Sequence, residues 1–92
     1  MLVFVYILYC SDNTYYIGCT NNLDKRLKQH NNSKNGAHYT KIRRPVKLIY
    51  TEKYTTLSEG RKREALLKKL SREKKIELIN NYDPQLDSIV QF

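Results

Sequence analysis

The chain has 92 residues, of which 40% are hydrophobic and 28% charged, and its formal net charge at pH 7 is +8. This length excludes two independent cores, and two cysteines are too few for a disulfide framework or a cysteine-based zinc site. No stretch is long and apolar enough to span a bilayer and no signal peptide is recognisable, so we expect a soluble, cytoplasmic protein without membrane association.

Residues 2–19 predict a β-hairpin. Two runs rich in β-branched and aromatic residues, 2–10 and 14–19, flank a polar cluster of turn-forming residues at 11–13. Alternation gives the first run two apolar faces, Phe4, Tyr6 and Leu8 on one and Val3, Val5, Ile7 and Tyr9 on the other. Such a strand is typical of the centre of a sheet that is covered on both sides. Tyr6 and Tyr16 could meet across the hairpin, although most tyrosines in strands are packing residues.

The two cysteines, Cys10 and Cys19, end the two predicted strands. A disulfide between them is geometrically conceivable. We favour reduced, buried thiols, because cysteine outside a framework behaves as a small apolar residue.

Residues 21–30 predict the first helix. An asparagine N-cap and Asp24 in the first turn suit the positive end of a helix, and Leu23 and Leu27 give it a narrow apolar stripe. Arg26 and His30 are four residues apart and project from one side. Spacing alone favours a solvated arginine and a histidine that caps the helix. The functional alternative is an arginine on a phosphate with a histidine beside it as donor or proton carrier.

A third strand is predicted at Val46–Tyr54, with Val46, Leu48 and Tyr50 on one face. A capping box at 56–59 begins a second helix, predicted to run from Leu57 to Leu70. The apolar edge expected for this helix consists of Leu66, Leu67 and Leu70. Ser71 caps a third helix, from Arg72 to about Asn80, whose Leu78 and Ile79 are available to the core.

Glu64 is the only acidic residue of the second helix after its first turn, and basic residues surround it. It can pair with Lys68 at i+4. Alternatively, it can face the hairpin tyrosines and hold a divalent cation. The spacing does not distinguish these two interpretations.

The net charge of +8 favours an anionic partner. Positive residues cluster at 41–47, 61–69 and 72–75, and phosphate backbones are the commonest partner of such a surface. A basic protein without such a role, or one that touches anionic lipid, is the alternative. The eight tyrosines favour nucleic acid, because aromatic rings can stack on exposed bases.

Taken together, the segment from Val3 to Ile79 resembles the GIY-YIG endonucleases. Tyr16-Ile17-Gly18 matches the second tripeptide of the family name, and Phe4-Val5-Tyr6 occupies the first, with Phe4 in place of the glycine. Arg26 and His30 occupy the positions of the family's helix arginine and histidine, and Glu64 that of its metal-binding glutamate. The segments 36–40 and 43–46 are similar to the small single-domain bacterial branch and to the catalytic subunit of the eukaryotic endonuclease that cuts branched DNA.

The resemblance implies an α+β fold, a small three-stranded antiparallel sheet flanked by about three helices, in a nuclease-like domain at 1–82 followed by a short tail at 83–92. It implies a metal-dependent endonuclease of DNA, or alternatively RNA, that acts on branched or flapped substrates in repair or recombination. The implied catalytic residues are Tyr6, Tyr16, Arg26, His30 and Glu64, with Glu64 as the ligand of Mg²⁺ or Mn²⁺.

The basic strip and the second helix would hold the nucleic-acid backbone with little base specificity. The residues expected to do so are Tyr39, Lys41, Arg43, Arg44, Lys47, Arg61 and Lys68. One alternative is a binding module that does not cut. Another is a nuclease subunit that is active only with a protein partner, docked through the tail.

Overall fold

The two runs of β-branched and aromatic residues form the expected hairpin, and a third strand completes an antiparallel sheet. The computed structural model describes residues 2–32 and 43–82. The elements are β1 (Val3–Tyr9), β2 (Tyr15–Thr20), α1 (Leu23–Asn32), β3 (Lys47–Tyr54), α2 (Leu57–Lys68) and α3 (Arg72–Asn80). The strand order is β2-β1-β3, so the α+β fold and the central position of the first strand are confirmed. The predicted tail, Tyr39 and Lys41 lie outside the described residues.

Helices cover both faces of the sheet because β1 is apolar on both. On the first face, called here the site face, Tyr6, Leu8, Cys10 and Val46 form a cluster against which Leu23 and Leu27 of α1 pack. On the opposite face, called the back face, Val5, Ile7, Ile17, Tyr50 and Leu67 form a second cluster, joined by residues of α2 and α3. The chain therefore has two small cores separated by one sheet.

A β-bulge in β3 corrects one sequence prediction. Ile7 lies opposite Tyr50 and Leu8 lies opposite Leu48, so Ile49 is an additional residue in β3. Leu48 therefore packs on the site face, whereas Tyr50 belongs to the back face. The expectation that Val46, Leu48 and Tyr50 share one face is wrong, because strict alternation does not hold across a bulge.

Side chains cap each helix where the sequence predicts it. Asn22 accepts the backbone N–H of Lys25 at 3.1 Å, which begins α1. Thr56 and Ser71 accept the N–H groups of Glu59 and Lys74, both at 3.2 Å, and begin α2 and α3. These bonds satisfy amide groups that have no partner inside the helix.

The contact edge of α2 differs from the predicted one. Leu67 is fully buried and Leu70 is partly buried, but Leu66 is 56% exposed. Gly60 is the other buried residue of α2, and a Cβ there would lie 2.9 Å from Val3 Cγ1 and 3.0 Å from Cys19 Sγ. The helix thus approaches the sheet along a ridge from Gly60 to Leu67, which directs Leu66 outwards.

Both cysteines are free thiols, as favoured from the sequence; Cys10 is buried as expected, whereas Cys19 is only half-buried. Cys19 lies opposite Val5, whereas Cys10 follows the other end of β1 at the hairpin turn. Among residues 2–32 and 43–82, no helix has the length and apolar character needed to cross a membrane.

Candidate active site

The side-chain ring of Tyr6 lies over the neighbouring strand β2 at Gly18. Tyr6 and Gly18 are directly opposite in the β1–β2 register, and Tyr6 is only 2% exposed. A Cβ at position 18 would lie 2.5 Å from Tyr6 Cζ and 3.0 Å from Cε1. Real Cβ atoms do not approach carbon so closely, so the tyrosine ring needs a residue without a side chain beneath it. Gly18 therefore allows the Tyr6 hydroxyl to occupy its place in the site.

The Tyr6 hydroxyl meets a fully buried histidine from α1. Tyr6 Oη and His30 Nε2 are 2.9 Å apart, and the His30 side chain has no exposed surface. The Tyr16 ring lies edge-on to the His30 ring with centroids 4.9 Å apart, and 6.4 Å from that of Tyr6. The predicted meeting of the two hairpin tyrosines is thus confirmed, with the imidazole in contact with both.

Arg26 lies one turn before His30 and reaches the same hydroxyl. Its Nη1 donates to Gln29 Oε1 at 3.1 Å, and its guanidinium also interacts with the Tyr6 hydroxyl. This places a fixed positive charge beside the phenol. It also leaves Arg26 close to any anion that approaches Tyr6.

Burial sets the protonation states of this pair. Burial raises the pKa of Tyr6 to about 12, the hydrogen bond with Arg26 opposes that rise, and the neighbouring Tyr16 and Glu64 add to it. Burial, together with the charges of Arg26 and Arg44, lowers the pKa of His30 to about 4. At neutral pH the phenol is therefore protonated and the imidazole neutral. A neutral imidazole with its ring proton on Nδ1 accepts the Tyr6 hydroxyl proton at Nε2, whereas the other tautomer donates from Nε2 to Tyr6 Oη.

The segment that precedes β3 holds the end of α1. Arg44 Nη2 donates to the Gln29 carbonyl at 3.0 Å, and its Nε donates to the His30 carbonyl. Asn31 accepts the Val46 N–H at 2.8 Å and donates to the Val46 carbonyl at 3.1 Å. Arg44 is expected from the sequence to contact nucleic acid. In the structure it caps the C-terminal end of α1 and thereby supports His30.

Glu64 approaches the site from α2. Its Oε2 lies 2.8 Å from Lys68 Nζ, and the carboxylate raises the pKa of both Tyr6 and Cys19. Its side chain is 21% exposed and borders an open groove of about 460 Å³. The groove is lined by Cys19, Leu57, Arg61, Glu64, Ala65 and Lys68. The structure therefore shows the pairing of Glu64 with Lys68, and it places Glu64 in a groove shared with the hairpin residue Cys19; its role as a metal ligand stays a prediction.

Glu64 is the only carboxylate among the described residues that line its groove, and it suits a cation that is bound together with a phosphate. Within the part of the chain that the structure describes, no group of three His, Cys, Asp or Glu residues could hold a metal ion. Mg²⁺ commonly uses one or two carboxylates, keeps several waters and shares the phosphate of its substrate. A lone glutamate in an open groove fits that mode, but not an all-protein cage.

Four of the five predicted catalytic residues are thus joined by hydrogen bonds and ring contacts, and the charge of the fifth, Glu64, influences the pKa of Tyr6. The four are Tyr6, Tyr16, Arg26 and His30. Arg61 and Lys68 border the same groove. Arg43 lies instead at the hairpin turn, where its Nε is 2.7 Å from Asp12 Oδ2, and Lys47 is exposed opposite Tyr9.

Sequence reasoning did not identify the steric role of Gly18 or the cap made by Arg44. A glycine inside a strand that is otherwise β-branched and aromatic is a signal for the first, since such a residue often marks a close approach. The second depends on a contact between residues 14 and 15 positions apart, for which the sequence carries no local signal.

Comparison with known proteins gives a consistent result. The sequence profile of the GIY-YIG catalytic domain matches residues 2–77. The UPF0213 protein of Syntrophus aciditrophicus is 57% identical over 76 residues, which cover 83% of this chain and 87% of that protein. The UPF0213 protein YazA of Bacillus subtilis is 51% identical over 72 residues, 78% of this chain and 72% of that protein.

Solved structures agree with the fold. The solution NMR structure of the UPF0213 protein BH0048 from Bacillus halodurans is 37% identical with a TM-score of 0.59, and the match covers 96% of this chain and 94% of that one. The solution NMR structure of EF2693 from E. faecalis is 43% identical with a TM-score of 0.61, and the match covers 87% and 84%.

Proposed function

Because this chain belongs to the GIY-YIG family, whose catalytic domain is a nuclease domain, we propose that it is a metal-dependent endonuclease that hydrolyses phosphodiester bonds in DNA. The observation that carries the proposal is the contact between the buried Tyr6 hydroxyl and neutral His30, with Arg26 and the carboxylate of Glu64 beside it. A site that only binds phosphate has no need of a buried proton-transfer pair or of a carboxylate.

The Tyr6–His30 pair provides a path for one proton. A phenol whose pKa is about 12 is a weak base, but its oxygen can take a proton from water if its own proton leaves at the same time. His30 Nε2 is 2.9 Å away on an imidazole that is neutral at neutral pH, and it would accept that second proton in the tautomer whose ring proton is on Nδ1. The attacking water would thus lose its proton to Tyr6 Oη as Tyr6 passes its proton to His30. Tyr16, against the imidazole edge, holds that ring in place.

Positive groups would stabilise the phosphate as charge develops on its oxygens. The guanidinium of Arg26 is positioned to donate hydrogen bonds to a phosphoryl oxygen next to Tyr6. Arg61 and Lys68 would hold flanking phosphates along the groove. Glu64 would ligate Mg²⁺ or Mn²⁺, and a bound divalent ion acts as a Lewis acid on the scissile phosphate.

Contacts to the backbone carry no sequence code, so we propose little base specificity and a preference for branched or flapped DNA, with RNA as the alternative substrate. One observation favours a second candidate, a module that binds without cutting. Glu64 is paired with Lys68, which partly neutralises the carboxylate in a basic groove. A subunit that requires a partner protein for cleavage would behave similarly when assayed alone.

Cleavage assays with matched variants separate these functions. Labelled linear, flap and four-way-junction DNA are incubated with Mg²⁺, Mn²⁺ or a chelator, using wild type, Tyr6→Phe and Glu64→Ala. Tyr9→Phe and Glu77→Ala are the controls, because Tyr9 lies on the other face of β1 and Glu77 is exposed on α3. We expect metal-dependent cutting that falls by on the order of 10²-fold or more in the two site variants and is retained in the controls.

DNA binding distinguishes the remaining outcomes. Glu64→Ala is expected to bind DNA as well as wild type or more tightly, since it removes a negative charge from the groove. Binding by wild type without cleavage of any DNA would overturn the endonuclease proposal for the isolated chain and support the binding module or a missing partner. Full cleavage by Glu64→Ala would refute the assigned metal ligand.

A further inference from the structure

A partly buried carboxylate on the back face, that of Glu52, accepts hydrogen bonds from four donor groups. Arg63 Nε lies 2.9 and 3.2 Å from the two oxygens of Glu52, and its Nη2 lies 3.1 Å from Oε2. The hydroxyls of Tyr50 and Tyr54 donate to the same carboxylate. The Glu52 side chain is only 17% exposed. This is a forked contact of the kind that fixes an arginine in one orientation, and it joins α2 to β3.

The charges of this cluster persist at neutral pH. Burial alone raises the pKa of Glu52, but the hydrogen bonds from Arg63, Tyr50 and Tyr54 outweigh it and hold that pKa below its ordinary value. The same contact raises the pKa of Arg63. The ion pair is therefore intact wherever the protein works near neutral pH.

The position of Arg63 in α2 connects this cluster to the site. Gly60 and Leu67 form the buried ridge of α2, and Arg63 and Glu64 lie between them on the helix. Consecutive helical residues point about 100° apart, so these two side chains diverge. Arg63 extends to Glu52 in β3, whereas Glu64 faces the groove beside Cys19. The rotation of α2 about its own axis therefore determines both the contact of Arg63 with Glu52 and the position of Glu64 in the groove.

We propose that the Glu52–Arg63 pair, on the side of the sheet away from the site, positions the Glu64 carboxylate for metal binding and cleavage. The inference rests on the proposed function, because it assigns Glu64 its role there. Side-chain ends lie roughly 5–6 Å from a helix axis, so a roll of about 10° displaces the carboxylate by about 1 Å. Displacements of about 1 Å at a catalytic group can cost on the order of 10²-fold in rate. Glu52 and Arg63 touch neither substrate nor metal and are positioning residues.

Two substitutions remove the fork in different ways. The partners of Glu52 among the described residues, which are Arg63, Tyr50 and Tyr54, all donate hydrogen bonds to its carboxylate. Glu52→Gln replaces one acceptor oxygen with an NH₂ group, which cannot accept a hydrogen bond from these donors. Arg63→Lys keeps the charge but cannot form the fork, and serves if Glu52→Gln folds poorly. Glu77→Gln is the matched control, since it removes the exposed Lys74–Glu77 pair on α3, where nitrogen and oxygen are 3.8 Å apart.

Metal dependence is the readout that a purely structural role would not change. Single-turnover cleavage is measured against Mg²⁺ concentration, at a temperature where circular dichroism shows each variant folded. Mn²⁺ binding to the protein–DNA complex is followed by electron paramagnetic resonance, and DNA affinity is measured in chelator. We expect Glu52→Gln and Arg63→Lys to weaken Mn²⁺ binding and lower the cleavage rate by about tenfold or more. Metal-free DNA affinity should stay within about twofold of wild type, and Glu77→Gln should match wild type throughout.

The outcomes for this inference and for the proposed function are distinct. If Glu64→Ala neither slows cleavage nor weakens Mn²⁺ binding, the role of Glu64 fails and the positioning inference fails with it. If Glu64→Ala does both, but folded Glu52→Gln and Arg63→Lys retain wild-type rate and metal dependence, only the positioning inference is overturned. A lower melting temperature with unchanged metal dependence also overturns it. If wild type cuts no DNA, weaker Mn²⁺ binding in the two variants would still support it, and unchanged binding would refute it.

Discussion

The crossing of Tyr6 over Gly18 gives the sharpest single-residue test of the site. In Gly18→Ala the added Cβ would lie 2.5 Å from Tyr6 Cζ, whereas ordinary van der Waals contact begins near 3.4 Å. The tyrosine ring must therefore move by about 1 Å to accommodate the methyl group. Gly18 does not have a positive φ, so alanine itself is tolerated by the backbone and the effect is purely steric.

Because the Tyr6 ring is displaced in Gly18→Ala, we expect a large loss of cleavage activity and a smaller loss of stability. A shift of about 1 Å breaks the 2.9 Å contact between Tyr6 Oη and His30 Nε2, and we expect cleavage to fall on the order of 10²-fold. Overpacking costs about 1–3 kcal/mol, offset by the roughly 0.5–1 kcal/mol gained when a strand glycine becomes alanine. The net effect is a loss of up to about 2.5 kcal/mol, which corresponds to a fall of up to roughly 20 °C in the melting temperature.

Single-turnover cleavage and thermal unfolding measure the two effects separately. Cleavage is assayed at least 10 °C below the melting point of the variant, so that only folded protein contributes. Ile7→Val is the control for lost stability alone, because Ile7 lies in the back-face cluster and the substitution typically costs about 0.5–1.5 kcal/mol. Wild-type cleavage by folded Gly18→Ala would show that the Tyr6 hydroxyl does not need this position, and the proton path through His30 would be refuted.

Two further predictions concern His30. Its pKa is about 4 in the folded protein against an ordinary 6.5, so the unfolded chain binds the extra proton and stability falls as pH drops through this window. The loss between pH 6.5 and 5 should be about 1.5 kcal/mol in urea unfolding of wild type and should be absent in His30→Asn. A wild-type profile as flat as that of His30→Asn would contradict the burial argument. Arg44→Met removes a positive charge that lowers the pKa of His30, so the acid limb of the cleavage profile should move to higher pH; an unmoved limb would exclude that influence.

Features that depend on a few neighbouring residues could be predicted from the sequence. The three caps follow from side-chain oxygens placed three residues before unpaired amides, in Asn22, Thr56 and Ser71. The double-sided apolar pattern of β1 likewise predicted a central strand, which the strand order confirms. Local rules apply to these features because the interacting groups are adjacent in the chain.

Features that depend on packing between elements were not predicted correctly. The bulge at Ile49 moves Tyr50 to the back face, and it arises from pairing with β1 rather than from β3 itself. Leu66 is exposed because the ridge of α2 is set by Gly60, a residue that a count of apolar positions ignores. Likewise, the sequence predicted Arg44 as part of a basic strip that binds nucleic acid. In the structure its guanidinium donates a hydrogen bond to the end of α1. The charge of an arginine alone does not indicate whether it binds a partner or forms hydrogen bonds within the protein.

The sheet itself explains why the site lies at the β2 edge. Tyr6 and His30 belong to the site face, whereas α2, which carries Glu64, packs on the back face. A sheet in between would separate them, because side chains on opposite faces point away from each other. Gly18 removes that obstacle by allowing Tyr6 across β2, and Gly60 brings α2 close to Cys19 at the same edge. In the proposed mechanism, the position of each glycine in its element, rather than the number of charged residues, would therefore determine whether phenol, imidazole and carboxylate can reach one phosphate.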